Sequence, residues 1–201
     1  MDVKERVAAL QPELVRLRRH FHEKPERSWE EFQTQKAIES YLDALGIPYV
    51  ESCKSGVIAT LKGPHASDRV IGIRADIDAL PITELGDPAY KSQNPGTMHA
   101  CGHDTHITIL LGAAKVLAAM KDQLTVTVRF LFQPAEEEIA NSGAAYMKEE
   151  LLVKECDRLI ALHIWSKIPA GWASLRYGPV MSAADTFDVT VEGRGGHGAL
   201  P

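Results

Sequence analysis

The sequence predicts an α/β fold in which a mixed, mostly parallel sheet is flanked by helices. Three observations predict it. Segments with helical periodicity alternate with short apolar runs, the runs at residues 70–75 and 124–132 are rich in β-favouring residues, and polar side chains follow several of these runs. Nearly continuous apolar runs are typical of central strands buried on both faces, which is why a parallel-rich sheet is favoured.

The overall composition indicates a soluble globular protein. Of its 201 residues 45% are hydrophobic and 24% charged, and the net charge of −5 excludes a basic surface for nucleic acid or an anionic membrane. No apolar run approaches the roughly 20 residues of a membrane span. Three widely spaced cysteines argue against a disulfide framework, so we expect a reducing, cytoplasmic location.

The N-terminal region predicts two amphipathic helices. Apolar residues recur at helical spacing over residues 3–23, and Pro25 ends this pattern. Ser28, followed three residues later by Glu31, matches a capping box and is expected to begin the second helix. Gly46 is expected to end it.

The middle of the chain predicts strands separated by helices. Strands are expected at residues 57–61, 70–75, 124–132 and 158–162, and helices at residues 107–120 and 143–152. The segment 172–178 predicts an edge strand, whereas residues 185–193 alternate between polar and apolar side chains as an antiparallel strand with one wet face does. This change predicts one domain over residues 1–182 and the start of a second domain over residues 183–201.

Six polar side chains follow the ends of predicted strands or begin the helix between them, which places them at one edge of a sheet. They are Asp78, Cys101, His103, Glu136, Glu137 and His163. Neighbouring strands lie roughly 4.8 Å apart, so such groups can share one pocket. Thiolate, imidazole and carboxylate groups are ligands of divalent metals, and this set is large enough for two ions. One of the paired glutamates can bind metal while the other acts as a general base on water.

The chain resembles the aminoacylase-type metallopeptidases, in particular their amidohydrolase branch of hippurate hydrolase, N-acyl-amino-acid deacylases and indoleacetyl-amino-acid hydrolases. The resemblance rests on successive motifs at residues 19–22, 25–28, 74–81, 98–104, 133–137, 161–165 and 195–201. Together these motifs cover essentially the whole chain in order. The resemblance implies a zinc-exopeptidase-like catalytic domain followed by the beginning of an α+β lid domain through which two subunits associate as a homodimer.

The resemblance also assigns residue roles. It implies that two divalent ions (zinc, manganese or cobalt) are bound by Cys101, His103, Glu137 and His163, with Cys101 bridging them. It makes Glu136 the general base, His197 the group that stabilises the oxyanion in a neighbouring subunit, and Asp78 and Asp104 the carboxylates that orient ligands. His99 and His106 are left open between a structural role and the support of a ligand.

The implied reaction is metal-dependent hydrolysis of the amide bond of N-acyl amino acids. The sequence departs from the family pattern at Glu138, where relatives continue into a glycine-rich turn. Relatives are also about twice as long and supply a last histidine ligand beyond the lid, so the alternative is a metal-binding remnant with little activity. A nucleophilic or redox Cys101 partnered by His103 is disfavoured because it leaves the two glutamates and His163 unused.

Overall fold

The computed structural model describes residues 2–181, 185 and 187–200. The chain forms two compact units, Met1–Ile164 and Trp165–Pro201. The predicted domain boundary at residues 182–184 lies outside the described residues and stays a prediction. Among the helices that are described, none is long and apolar enough to cross a membrane.

Helix α1 spans Val3–Glu23, which confirms the prediction from its apolar periodicity. Its first turn is closed by a reciprocal capping box. The Asp2 carboxylate accepts a hydrogen bond from the Glu5 N–H at 2.8 Å, and the Glu5 carboxylate accepts one from the Asp2 N–H at 3.0 Å. The helix therefore begins where two of its otherwise unpaired donors are satisfied.

Helix α2 spans Phe32–Leu45, so the predicted capping box at Ser28 is wrong. The helix begins three residues later than that box requires, and two N–H groups in its first turn donate to the Glu26 carboxylate at 2.8 and 3.1 Å. The Ser28 hydroxyl donates to Asp78 at 2.7 Å instead. The local pattern assigned this side chain to a helix cap, but it forms a tertiary hydrogen bond instead.

One five-stranded sheet is formed by the described residues, and its mixed character confirms the prediction. The strands are β1 (Tyr49–Ser52), β2 (Gly56–Lys62), β3 (Val70–Asp76), β4 (Thr127–Gln133) and β5 (Arg158–Ala161). Their spatial order is β1-β2-β4-β3-β5. The pairs β1–β2 and β2–β4 are antiparallel, whereas β4–β3 and β3–β5 are parallel. Strand β1 was not predicted, because its four residues, of which one is buried, carry no apolar alternation.

The remaining helices are α3 (His103–Ala118), α4 (Gly143–Met147) and α5 (Leu151–Lys154). The single helix predicted at residues 143–152 is therefore two short helices. Glu150 interrupts it with an extended backbone (ψ 138°), and its carboxylate accepts a hydrogen bond from Ser52 at 2.5 Å. This contact with the sheet replaces continuation of the helix.

The main core lies between the sheet and helices α1, α2 and α3. It contains completely buried side chains from both layers, namely Ile38, Leu42, Ile107, Leu111, Phe130 and Phe132. A smaller cluster on the opposite face of the sheet contains Ile58, Leu131 and Met147. Alternate residues of β4 thus face two layers of helices, which is why this strand is apolar throughout.

Strand β5 lies at one edge of the sheet, where it pairs with β3 over four residues and is exposed along its length. Beyond Ile164 the predicted strands at residues 172–178 and 185–193 are absent from the described residues, and this expectation is wrong there. A strand is stable only when another strand pairs with it. No described segment supplies such a partner, and Leu175 and Tyr177 remain fully exposed.

Candidate metal centre

The predicted donors meet where the parallel strands end. Asp78 follows β3, the pair Glu136–Glu137 follows β4, and His163 follows β5, while His103 begins α3. Because β4, β3 and β5 are neighbours and run in the same direction, the loops after them lie together beyond the carboxyl ends of these strands.

His103 lies at the middle of this cluster. Its Nε2 is 3.8 Å from a carboxylate oxygen of Glu136 and 3.8 Å from one of Glu137. The Cys101 Sγ is 3.3 Å from the Nε2 of His163. Two groups, Cys101–His103–His163 and His103–Glu136–Glu137, each place their donor atoms within 4.8 Å of one another. The structure therefore brings all four predicted ligands and the predicted base together.

Two buried atoms in the cluster indicate that its donors fit a cation. His103 Nε2 and Glu137 Oε1 have no hydrogen-bond partner among the described residues. Buried polar atoms are normally paired, and an imidazole nitrogen and a carboxylate oxygen are both ligands that divalent metals accept. The donor chemistry and these two unpaired atoms fit the implied metals.

Asp78 fixes the orientation of His103 and of the turn that carries Glu137. The Nδ1 of His103 donates to the Asp78 carbonyl at 2.9 Å and lies 3.2 Å from its carboxylate. The Glu137 N–H and the Ser28 hydroxyl donate to the other carboxylate oxygen, at 2.9 and 2.7 Å. Since this hydrogen bond occupies Nδ1, Nε2 is the ring nitrogen that faces the cluster and is placed to bind a metal.

Gly102 permits the sharp turn between Cys101 and His103. Its φ of 92° lies in the left-handed region, and a Cβ at this position would lie 2.3 Å from the Ile164 side chain. Glycine therefore lets the turn approach the segment after β5 that carries His163.

Asp76 is a site residue to which the sequence analysis gave no role, and His106 is one whose role it left open. The Nδ1 of His106 donates to Asp76 at 2.6 Å, its Nε2 accepts a hydrogen bond from the Ile164 N–H at 3.0 Å, and Asp76 lies 3.6 Å from His103 Nε2. The sequence did contain a signal for both. Asp76 is the last residue of β3 and lies two residues before Asp78, and His106 lies about one helical turn after His103.

Asp104 contacts helix α1 rather than a predicted ligand. Its buried carboxylate forms a salt bridge with Arg18 at 2.9 Å and accepts a hydrogen bond from His22 Nδ1 at 2.7 Å. The other ring nitrogen of His22 lies 3.2 Å from Glu84. This network ties α1 to the beginning of α3. The predicted role of Asp104 in orienting a ligand stays a prediction.

His99 and His197 are the other two histidines that the sequence analysis named. His99 is buried, and neither of its ring nitrogens has a hydrogen-bond partner among the described residues. His197 belongs to the second unit, where its Nδ1 accepts a hydrogen bond from the Ala199 N–H at 3.2 Å. Its predicted part in oxyanion stabilisation stays a prediction.

The charged groups of the cluster shift one another's pKa values. Burial lowers the pKa of His103, but the hydrogen bond with Asp78, the neighbouring Cys101 and the carboxylate charges of Asp76 and Asp78 outweigh it and raise that pKa to about 11. Burial also raises the pKa of Glu137, and the carboxylate of Glu136 adds to this effect against the opposing charge of His103. A proton held on His103 competes with a cation for the same nitrogen, so cation affinity should rise with pH.

Fold and site together define an α/β protein with a divalent-metal donor cluster at the carboxyl ends of its parallel strands. The chain belongs to the peptidase family M20/M25/M40, whose sequence model matches residues 72–199. The resemblance to aminoacylase-type metallopeptidases is thereby confirmed.

Named relatives agree with this assignment. The chain is 42% identical over its whole length to a probable hydrolase of Synechocystis sp., and it covers 51% of that protein. It is 39% identical over its whole length to an N-acyl-L-amino acid amidohydrolase of Geobacillus stearothermophilus, of which it covers 54%. The crystal structure of the Bacillus subtilis YXEP protein, described as a dinuclear metal binding peptidase, has a TM-score of 0.75 and 40% identity; the match covers 81% of this chain and 45% of that one. The chain thus spans about half the length of these relatives.

Proposed function

We propose that this chain carries the metal-binding and general-base residues of a di-metal amidohydrolase that cleaves N-acyl amino acids. One observation carries the proposal, namely the convergence of Cys101, His103, Glu137 and His163 with a further carboxylate, Glu136, beside them. The amidohydrolase name of the Geobacillus stearothermophilus relative and the dinuclear metal of the Bacillus subtilis structure support it.

The four ligand residues would hold two divalent ions, with zinc, manganese and cobalt as candidates. When bound, the ions polarise the substrate carbonyl and lower the pKa of water to near neutrality. Asp78 holds Nδ1 of His103 by a hydrogen bond, so Nε2 is the ring nitrogen that would bind a metal once its proton is displaced.

Glu136 is proposed as the base because it is the more accessible of the paired glutamates. Its side chain is 40% exposed, against 21% for Glu137. Glu136 takes a proton from the attacking water as oxygen adds to the amide carbon. It then gives this proton to the nitrogen as the C–N bond breaks, which releases a carboxylic acid and a free amino acid. His197 is proposed to stabilise the oxyanion, and the lid to form a homodimer.

The test is chelation followed by metal add-back on the full gene product. Hydrolysis of N-benzoylglycine and N-acetyl amino acids should be lost with chelator and return with Zn²⁺, Mn²⁺ or Co²⁺. Glu136→Gln should lower kcat by about 10²- to 10⁴-fold, the usual contribution of a general base. The matched control Glu138→Gln changes an exposed neighbour and should leave kcat within about threefold, as surface substitutions generally do. Activity that survives metal removal, or full activity in Glu136→Gln, would refute the proposal.

A metal-binding chain with little turnover is the second candidate, favoured by the half-length coverage of the relatives. Assaying the 201-residue chain beside the full gene product separates the two. Equal rates would exclude the second candidate, whereas metal binding without hydrolysis by the 201-residue chain would support it.

A further inference from the structure

Glu31 is a completely buried carboxylate directly before helix α2 whose side chain does not cap that helix. One of its oxygens accepts a hydrogen bond from the Ala135 N–H at 2.8 Å, and the other accepts one from the Ser55 hydroxyl at 2.6 Å. A buried carboxylate is tolerated only when it is well hydrogen-bonded. These two contacts therefore fix its position.

Ala135 has an unusual backbone conformation directly before the paired glutamates. Its φ is 48°, in the left-handed region that residues with a Cβ rarely adopt. Its N–H is held by Glu31, and its carbonyl accepts a hydrogen bond from the Gly143 N–H at 3.2 Å. A strained conformation of this kind persists only when surrounding contacts determine it.

A second buried carboxylate holds the same turn two residues later. The Glu137 N–H donates to Asp78 at 2.9 Å, and Asp78 in turn accepts the Ser28 hydroxyl at 2.7 Å. The turn is thus held on both sides of Glu136. Both restraints involve the loop between α1 and α2, through Ser28 and Glu31.

We propose that Glu31 is a positioning residue for the paired glutamates. By accepting the Ala135 N–H it sets the turn after β4 so that the side chains of Glu136 and Glu137 face His103. Glu31 acts through the backbone and is separate from the proposed ligands and base. Its effect on catalysis rests on the proposed function, whereas its effect on the turn rests on the geometry alone.

The experiment compares Glu31→Leu and Glu31→Gln with Gln35→Leu. Leucine removes the acceptor, whereas glutamine keeps an oxygen for the Ala135 N–H. Gln35 is the matched control, because it is buried one turn further along α2 and donates to the Gly56 carbonyl at 3.1 Å. The readouts are amide exchange at residues 135 and 137 without metal, Co²⁺ affinity by titration, and kcat and KM of the full gene product.

In Glu31→Leu the Ala135 amide should exchange at least about tenfold faster, and Co²⁺ affinity should fall about 10- to 100-fold, as for other residues that orient ligands. The kcat should fall more than KM rises. Glu31→Gln should restore exchange and affinity to within about threefold of the wild type, and Gln35→Leu should leave both unchanged although it lowers stability.

Unchanged exchange and Co²⁺ affinity in folded Glu31→Leu would overturn the inference, and so would equal changes in Gln35→Leu. If Glu31→Leu does not fold, Glu31→Asp decides in its place. Its shorter carboxylate retracts from the Ala135 N–H, so faster exchange supports the inference and wild-type exchange overturns it. If the wild type hydrolyses no N-acyl amino acid, the proposed function fails, while exchange and Co²⁺ affinity still decide the role of Glu31.

Discussion

Replacing Asp78 by alanine should weaken both the fold and the metal centre. The carboxylate accepts hydrogen bonds from the Ser28 hydroxyl, the Glu137 N–H and His103 Nδ1, at 2.7, 2.9 and 3.2 Å. Burial raises its pKa, but these three hydrogen bonds and the charge of His103 together lower it by more, so the net pKa is below the usual value. The folded state therefore stabilises the charged carboxylate despite the cost of burying it.

The magnitude follows from the donors that lose a partner. His103 keeps the Asp78 carbonyl at 2.9 Å, whereas the Glu137 N–H and the Ser28 hydroxyl keep no comparable acceptor. An unpaired buried donor costs about 1–3 kcal/mol, and the partly exposed serine can turn to water at lower cost, so we expect a loss of about 3 kcal/mol. Loss of the orienting carboxylate should also lower metal affinity about 10- to 100-fold.

The assay is urea unfolding of the metal-free protein at pH 7, followed by circular dichroism, with Co²⁺ titration of the folded variant. Ser28→Ala is the graded control, since it removes one of the three hydrogen bonds and should cost about 1 kcal/mol. The reasoning is refuted if Asp78→Ala loses no more stability than Ser28→Ala, or if it binds Co²⁺ as the wild type does.

Three further predictions concern neighbouring groups. Burial raises the pKa of Asp76, but a hydrogen bond from His106 and the charge of Arg74 bring it from 3.8 to about 2. The ionised Asp76 should therefore stabilise the folded state by about 2 kcal/mol above pH 4, and this contribution should be lost as the pH falls towards 2. Asp76→Asn should remove this pH dependence of the free energy of unfolding, measured in urea at each pH. Gly143→Ala should destabilise by at least about 1 kcal/mol in urea unfolding, because a Cβ there would lie 2.1 Å from the Pro134 carbonyl oxygen; wild-type stability would contradict the close approach of these two segments. Excess Zn²⁺ should raise the Tm of the wild type and raise it less in Cys101→Ser, which lacks the thiolate donor; equal shifts would remove Cys101 from the ligand set.

Sequence patterns predicted the elements whose apolar residues follow a simple local pattern. Helix α1 has apolar residues at helical spacing, and strand β3 coincides with a nearly continuous apolar run, so their existence and approximate bounds follow from the sequence. The convergence of the donors was also predictable, because the carboxyl ends of parallel strands share one edge of a sheet. For His103 and Glu137, position in the chain therefore indicated position in space.

Sequence reasoning missed the interactions in which a polar side chain that matches a local motif instead forms a hydrogen bond with a residue far away in the sequence. Ser28 and Glu31 match a capping box within four residues, yet they bind Asp78 and Ala135, which are 50 and 104 positions away. Local propensity carries no information about such partners. Glu150 is a similar case, since its contact with Ser52 divides a segment whose pattern predicts one helix.

The position of β5 at the border of the sheet affects the order in which the donors can be lost. This strand is exposed and paired on one side with β3, so its opening should require less free energy than that of the central strands. His163 lies two residues beyond its end and is exposed, whereas His103 and Asp78 are buried. Local opening of this edge strand would therefore remove the His163 imidazole from the cluster first and leave a bound cation held by the remaining, more deeply buried donors.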